Sequence, residues 1–384
     1  MDNSSIKADI PISSSHAVNG NGGTIEVTAE QVTLSNHSTI DTSGASSTGG
    51  SGSAGNIRFN ANTFSATDST IEASVSLYTV CCNGSYPGNG GSLTIQGLHG
   101  SGTSAQAVSF TNMFVRSLAG TSGNGGRFLI QGNNIALNGT IMFATSSGGP
   151  PGGITLLSRG GLDIQNSLLQ SIALSATAGT INLRAGTRIG LTNSRIDAYS
   201  ELNSGTIALA APAISLTNSR LDVTSFGNGH GGTISLTATK SVSLTNGTVL
   251  DADGSTFTDA PGTGNASGGT ILISGGTKFT SQQSTISAQS VLGNGGTIHI
   301  DANKVSLTDS QLTTSVSGGP QTVGGSITVD AKNVTLKNSE ILSTATEGHG
   351  GTIGITSHKL HSTNSVIDAS SQSGTDGTVT IERP

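Results

Sequence analysis

The sequence predicts an all-β chain folded as a parallel β-helix, a solenoid of about thirteen three-stranded coils. Three observations carry this. A Gly-x-Ile-x-Ile/Leu phrase recurs thirteen times, apolar residues alternate at i, i+2 around it, and no stretch forms a convincing amphipathic helix.

The first copy reads Gly23-Thr24-Ile25-Glu26-Val27. The others start at Gly55, Gly91, Gly126, Gly152, Gly179, Gly205, Gly232, Gly269, Gly296, Gly325, Gly351 and Gly377. Most intervals are 26 or 27 residues; longer ones, up to 37, read as the same unit with a loop added. After Gly179 the three segments are Thr180-Ile181-Asn182-Leu183, Ile189-Gly190-Leu191 and Arg195-Ile196-Asp197-Ala198. The next unit repeats them with Ile207 and Leu209, Ile214 and Leu216, then Leu221 and Val223. Such alternation buries one face of each strand. Segments this short do not make helices, and Gly, Asn and Ser between them turn the chain.

Because the buried positions keep fixed offsets, stacking coil on coil sets like on like. The first column runs Ile25, Ile57, Leu93, Phe128, Ile154, Ile181, Ile207, Ile234, Ile271, Ile298, Ile327, Ile353 and Val379. A single coil cannot bury its apolar face, whereas a stack can. A sandwich or propeller would need hairpin turns and longer strands. A second column, Asn36, Asp68, Asn112, Asn166, Asn193, Asn218, Asn246, Asp309, Asn338 and Asn364, falls between the second and third segments. Asn and Asp tolerate the left-handed backbone of a sharp corner, and stacked amides can bond along the helix. Small residues at Ala29, Ala61, Ala185, Ala211, Ala238, Ala302 and Ala331 mark a second tight corner.

Composition narrows the function classes. Net charge is −6, only 16 residues are Lys or Arg, and aromatics are 3% with no Trp, so neither a basic stripe nor a stacking platform suggests nucleic-acid binding. No run of about 20 apolar residues suggests a membrane span. The start, Met1-Asp2-Asn3-Ser4-Ser5, has no signal-peptide pattern. The two cysteines, Cys81 and Cys82, are adjacent and cannot staple distant coils.

The phrase Gly-Gly-Thr-Ile-x-Leu-x-Ala followed by Val-x-Leu-Thr-Asn-Ser-x-Ile-x-Ala resembles the repeat of filamentous haemagglutinin-type exoproteins. Gly231-Gly232-Thr233-Ile234 and Ser215-Leu216-Thr217-Asn218-Ser219 are instances. The resemblance covers nearly the whole chain. It implies a right-handed β-helix shaft, delivered to the surface of a Gram-negative bacterium by an outer-membrane two-partner secretion transporter and acting in adhesion. The family's amino-terminal secretion domain is missing. Ile10, Ile12 and Val18 look like parts of a coil already under way, so residues 1–384 are expected to be one repeat domain from a longer shaft.

Candidate chemistry is sparse. Insertions at 42–54, 74–90, 116–125, 252–268 and 313–324 follow the third segment and would emerge near one corner, where binding loops or tolerated decoration are both expected. A further insertion, 97–107, separates the first and second segments. The 74–90 loop gathers Tyr78, Cys81, Cys82 and Tyr86, and the cysteines could form a vicinal disulfide, bind metal, or be plain thiols. Asp41, Glu72, Asp197, Asp222, Asp251 and Asp368 form an acidic column expected to point outward as a solvated stripe, with calcium a weaker alternative. Asp251 and Asp253 imitate a glycosidase pair. The histidines His230, His349, His358 and His361 share no column by this reading. No catalytic, cofactor or metal site is assigned, and no cofactor is expected. The expected role is a non-catalytic adhesin shaft; alternatives are a pectate-lyase-like enzyme acting on polysaccharide or an ice-binding solenoid.

Overall fold

A computed structural model of the chain describes residues 1–9, 20–46, 52–77, 87–227, 229–254 and 266–384. Among these residues there are strands and no helix, arranged as a parallel β-solenoid of about 12 turns. Ile10, Ile12, Val18, Tyr78, Cys81, Cys82 and Tyr86 lie outside the described residues. So do 47–51, 78–86 and 255–265 of the expected loops. The structure comprises two compact units, Met1–Thr187 and Arg188–Pro384.

Each unit is built by in-register parallel pairing of equivalent segments. In the first, Ile25 pairs with Ile57, Ile57 with Leu93, Leu93 with Phe128, Phe128 with Ile154, and Ile154 with Ile181. In the second, the column runs Ile207, Ile234, Ile271, Ile298, Ile327, Ile353 and Val379. From Ile57 to Ile353 every member is buried. The third segments make their own ladders. Ile40, Ile71, Val115, Met142 and Leu169 stack in the first unit. Ile196, Leu221, Leu250, Ile286, Leu312 and Ile341 stack in the second. In the first unit Phe59, Phe64 and Phe110 also meet inside, with centroids 4.9 and 5.5 Å apart.

The glycine of most phrases has a steric reason. Its neighbour below presents a carbonyl that accepts the next coil's amide, as Gly269 O does from Thr297 N at 2.9 Å. A Cβ on Gly296 would overlap that same oxygen, and a Cβ on Gly325 would overlap Gly296 O. Both units repeat this contact, for example Gly55 over Gly23 and Gly351 over Gly325.

All ten Asn and Asp residues of the expected corner column adopt positive φ, between 46° and 54°. The structure adds two members that the residue types conceal, Gln283 at φ 52° and Gly139 at φ 60°. The amide ladder forms in pairs: Asn112 Nδ2 donates to Asp68 Oδ1 at 2.9 Å, Asn218 to Asn193 at 2.9 Å, and Asn338 to Asp309 at 3.0 Å. At the alanine corner the chain bends less. First and second segments there merge into continuous strands such as Thr206–Thr217 and Thr233–Thr245. Their ladder shifts register between Ala211 and Ala213, which absorbs the corner without ending the pairing.

The region after the third segment is more regular than a set of loops. Ser200, Ser225, Gly254, Ser290, Val316, Ala345 and Ser371 form a file of single parallel bridges. Each stands four residues beyond the central Ile or Leu of its third strand. The 97–107 insertion is a turn between Leu93–Gln96 and Ala105–Thr111, with Gly100 and Gly102 at φ 82° and 81°.

Candidate functional site

The densest chemistry lies on the third ladder of the second unit. Arg195 and Asp197 belong to the strand Arg195–Asp197, and Arg220 and Asp222 to Arg220–Asp222. Separation by two residues places both side chains on one face of a strand. In-register stacking then sets Arg195 beside Arg220 and Asp197 beside Asp222, with Asp251 next.

The arginines reach along the stack. Arg195 Nε donates to Asp197 Oδ1 at 2.7 Å, and its NH2 group donates to Asp222 Oδ2 at 3.1 Å. Arg220 repeats this, with Nε to Asp222 Oδ2 at 3.0 Å and NH2 to Asp251 Oδ2 at 2.6 Å. Thr224 Oγ1 donates to Asp251 at 3.1 Å, and Thr224 N to Asp222 at 3.0 Å. The side chains of Asp197 and Asp222 are 0% and 1% exposed. The solvated stripe expected from the sequence is therefore wrong here. An Arg two residues before each Asp shields and neutralises it, filling the role considered for calcium. In the first unit Arg116 stands in register with Glu72 on the adjacent coil and pairs with it directly, with Nε to Oε1 at 3.1 Å. Asp41 and Asp368 each accept the backbone N–H two residues on, as Asp222 and Asp251 also do.

Asp251 and Asp253 complete the ladder. Asp253 accepts Ser287 Oγ at 2.5 Å and Gln289 N at 2.7 Å from the following coil. Burial, then the neighbouring Asp251, push its carboxyl up to about 7. Burial, then Asp222, also raise Asp251, against the pull of Arg220. Three carboxylates thus share two guanidinium groups, and a proton on Asp253 lessens its repulsion from Asp251. Asp253 N donates to Asp251 Oδ1 at 3.2 Å. A glycosidase pair stands at least about 5 Å apart to admit the reacting bond. Here the two carboxyls are instead bonded to Arg220, Thr224, Ser287 and Gln289.

Aromatic side chains that the sequence reading passed over lie beside the ladder. Tyr199 meets Phe226 edge to face at 5.1 Å. Burial, then Asp197, raise the Tyr199 phenol. The charge and hydrogen bond of Asp197 hold the Arg195 guanidinium above its ordinary value despite burial. In the first unit Phe114 meets Phe143 at 5.8 Å, under the Arg116 guanidinium at 5.7 Å. The signal for all of these was their place two to four residues past, or on the outward positions of, a third segment.

Comparison with known protein families, curated proteins and solved structures gives no match.

Other sequence candidates stay dispersed. His230 and His349 do share a column, contrary to expectation, but Ser267, Asn294 and Val323 separate them. At about 4.8 Å per coil they are too far apart to converge. His358 and His361 are exposed on Thr352–Thr363. Among the described residues no group of three or more His, Cys, Asp or Glu is placed to hold a metal ion. The phrase threonines form an outward file on the first strands: Thr206, Thr233, Thr270 and Thr297. The parallel file two residues on is mixed, Ala208, Ser235, Leu272 and His299, so no paired hydroxyl ladder results.

Proposed function

We propose that the chain is a non-catalytic shaft of a secreted or surface-held bacterial adhesin, as its resemblance to filamentous haemagglutinin-type exoproteins suggests. One observation carries this reading: the acidic and amide columns are engaged in coil-to-coil bonding. The Arg195–Asp197–Arg220–Asp222–Asp251 ladder ties successive coils and leaves its central carboxylates no contact with solvent. Such residues serve the length and stiffness of the repeat. In this reading an outer-membrane two-partner secretion transporter exports the chain.

Protease treatment of intact native cells tests it. Fragments of the chain should appear in the medium while the cells stay sealed, and deletion of its gene should reduce attachment or aggregation. Retention of the intact chain inside shaved cells, or cleavage of uronate polymers by the purified chain, would refute the proposal.

A further inference from the structure

A column invisible to the alternation pattern stands two residues before each phrase glycine, and it clasps the next coil. In the first unit Asn21 Oδ1 accepts Ser53 N at 2.9 Å while Gly22 N donates to Ser53 O at 2.9 Å. Ser53 Oγ accepts Asn89 N at 3.1 Å, and Ala54 N donates to Asn89 O at 2.9 Å. Asn89 Oδ1 then accepts Asn124 N, and Gly90 N donates to Asn124 O, both at 2.9 Å. Next, Gly125 N donates to Pro150 O at 2.8 Å; proline has no N–H to offer Asn124. In the second unit Asn294 and Gly295 grip Val323 in the same way, at 2.9 Å on both sides.

This geometry bears on a chemical hazard. Six Asn-Gly pairs have their asparagine and glycine among the described residues: Asn21, Asn89, Asn124, Asn138, Asn246 and Asn294 begin them. In a loose chain the following glycine N loses its proton and attacks the asparagine Cγ. A new C–N bond closes a five-membered succinimide, the Cγ–Nδ2 bond breaks, and ammonia leaves with the proton. Water then opens the ring to aspartate or isoaspartate. The attack needs a free glycine nitrogen and a side chain able to swing onto it.

In the stack the first condition fails at all six pairs and the second at four of them. All six glycine N–H groups donate to a carbonyl of the adjacent coil, the remaining two being Gly139 to Gln165 O at 3.0 Å and Gly247 to Gln283 O at 2.7 Å. At Asn21, Asn89 and Asn294 the asparagine side chain is held by the same residue that holds the glycine. Asn138 Oδ1 is held by Asn166 Nδ2 at 3.0 Å. We propose that coil stacking blocks succinimide formation at these six pairs, so that each asparagine converts only when its coil opens. An isoaspartate would lengthen the backbone at the clasp and disturb the register above it. The inference rests on coil geometry and is independent of any role at a cell surface.

The test follows each asparagine by peptide mapping and mass spectrometry. The full chain is kept at mildly alkaline pH, folded or unfolded in urea, while hydrogen exchange records the six glycine amides. In urea all six should convert at comparable rates. In the folded chain each should slow by at least about tenfold, because reaction must wait for local opening. Equal rates in the two states would overturn the proposal. So would rapid conversion at any site whose glycine amide is protected from exchange.

Discussion

At the scale of single residues, two glycines with different surroundings separate packing from conformational freedom. Gly296 has Gly269 O where a Cβ would sit, whereas nothing lies within 4 Å of a Cβ on Gly354. Gly296→Ala must push two backbones apart and should cost at least about 3 kcal/mol, the upper end for overpacking. Gly354→Ala should be neutral or stabilise by about 0.5 kcal/mol, since glycine weakens a strand interior. Urea unfolding of the two variants checks the difference. Asp253 is a second single-residue test. In the folded chain it holds its proton up to about 7, against 3.8 when unperturbed. Between these values the folded state binds more protons, so its stability falls as pH rises through the window and the contribution is gone above 7. The urea midpoint should therefore drop between pH 5 and pH 8. Asp253→Asn should flatten that slope, removing a pH-dependent term on the order of 3 kcal/mol. An unchanged profile would place the proton elsewhere.

At the scale of the element, the third ladder behaves as one unit because each arginine serves two coils. Removal of Arg220 leaves Asp222 and Asp251 buried beside each other without their shared cation. Arg220→Met should cost about 3 kcal/mol or more, the range for breaking a buried pair on one side. Arg220→Lys should recover only part of this, since an ammonium cannot span two carboxylates as a guanidinium fork does. The contrast is Arg58 with Glu26, 3.9 Å apart and both about half exposed. Arg58→Ala should change stability by less than about 1 kcal/mol, because exposed pairs are screened by water. Thermal melts of the three variants at one pH would show whether burial, and not pairing, sets the cost.

At the scale of the whole molecule, stability should add coil by coil, since each coil contacts its neighbours. Residues 270–296 are one repeat of the second unit, from the threonine after one phrase glycine to the next phrase glycine. Their removal joins Gly269 to Thr297, the same Gly-Thr step found in other coils. That variant should fold with a β-type circular dichroism spectrum and a single cooperative melt. Removal of 270–282 alone puts a third segment where a first belongs and should abolish the cooperative melt. If both deletions melt alike, in-register stacking is not what holds the unit together.

Much of the fold was legible in the residues. The first column pairs as the fixed offsets require, because β-branched and aliphatic side chains at equal spacing have one way to bury together. The asparagine corners were legible for the same local reason, as the left-handed backbone favours Asn and Asp. Gln283 and Gly139 were hidden because a conformation forced by stacking can override residue preference. The acidic column was misjudged for a non-local reason: Arg195 and Asp197 are plainly neighbours in sequence, but Asp222 joins them only after a full turn of the helix. The clasp of Asn294 and Gly295 on Val323 likewise has no local signature. Sequence alone determined strand period, coil length and corner positions, which depend on steric and hydrophobic preferences within a few residues. Tertiary structure decided which charges are buried, which protons are held and which amides are protected. Those depend on partners one coil away, brought within hydrogen-bond reach only by the stack.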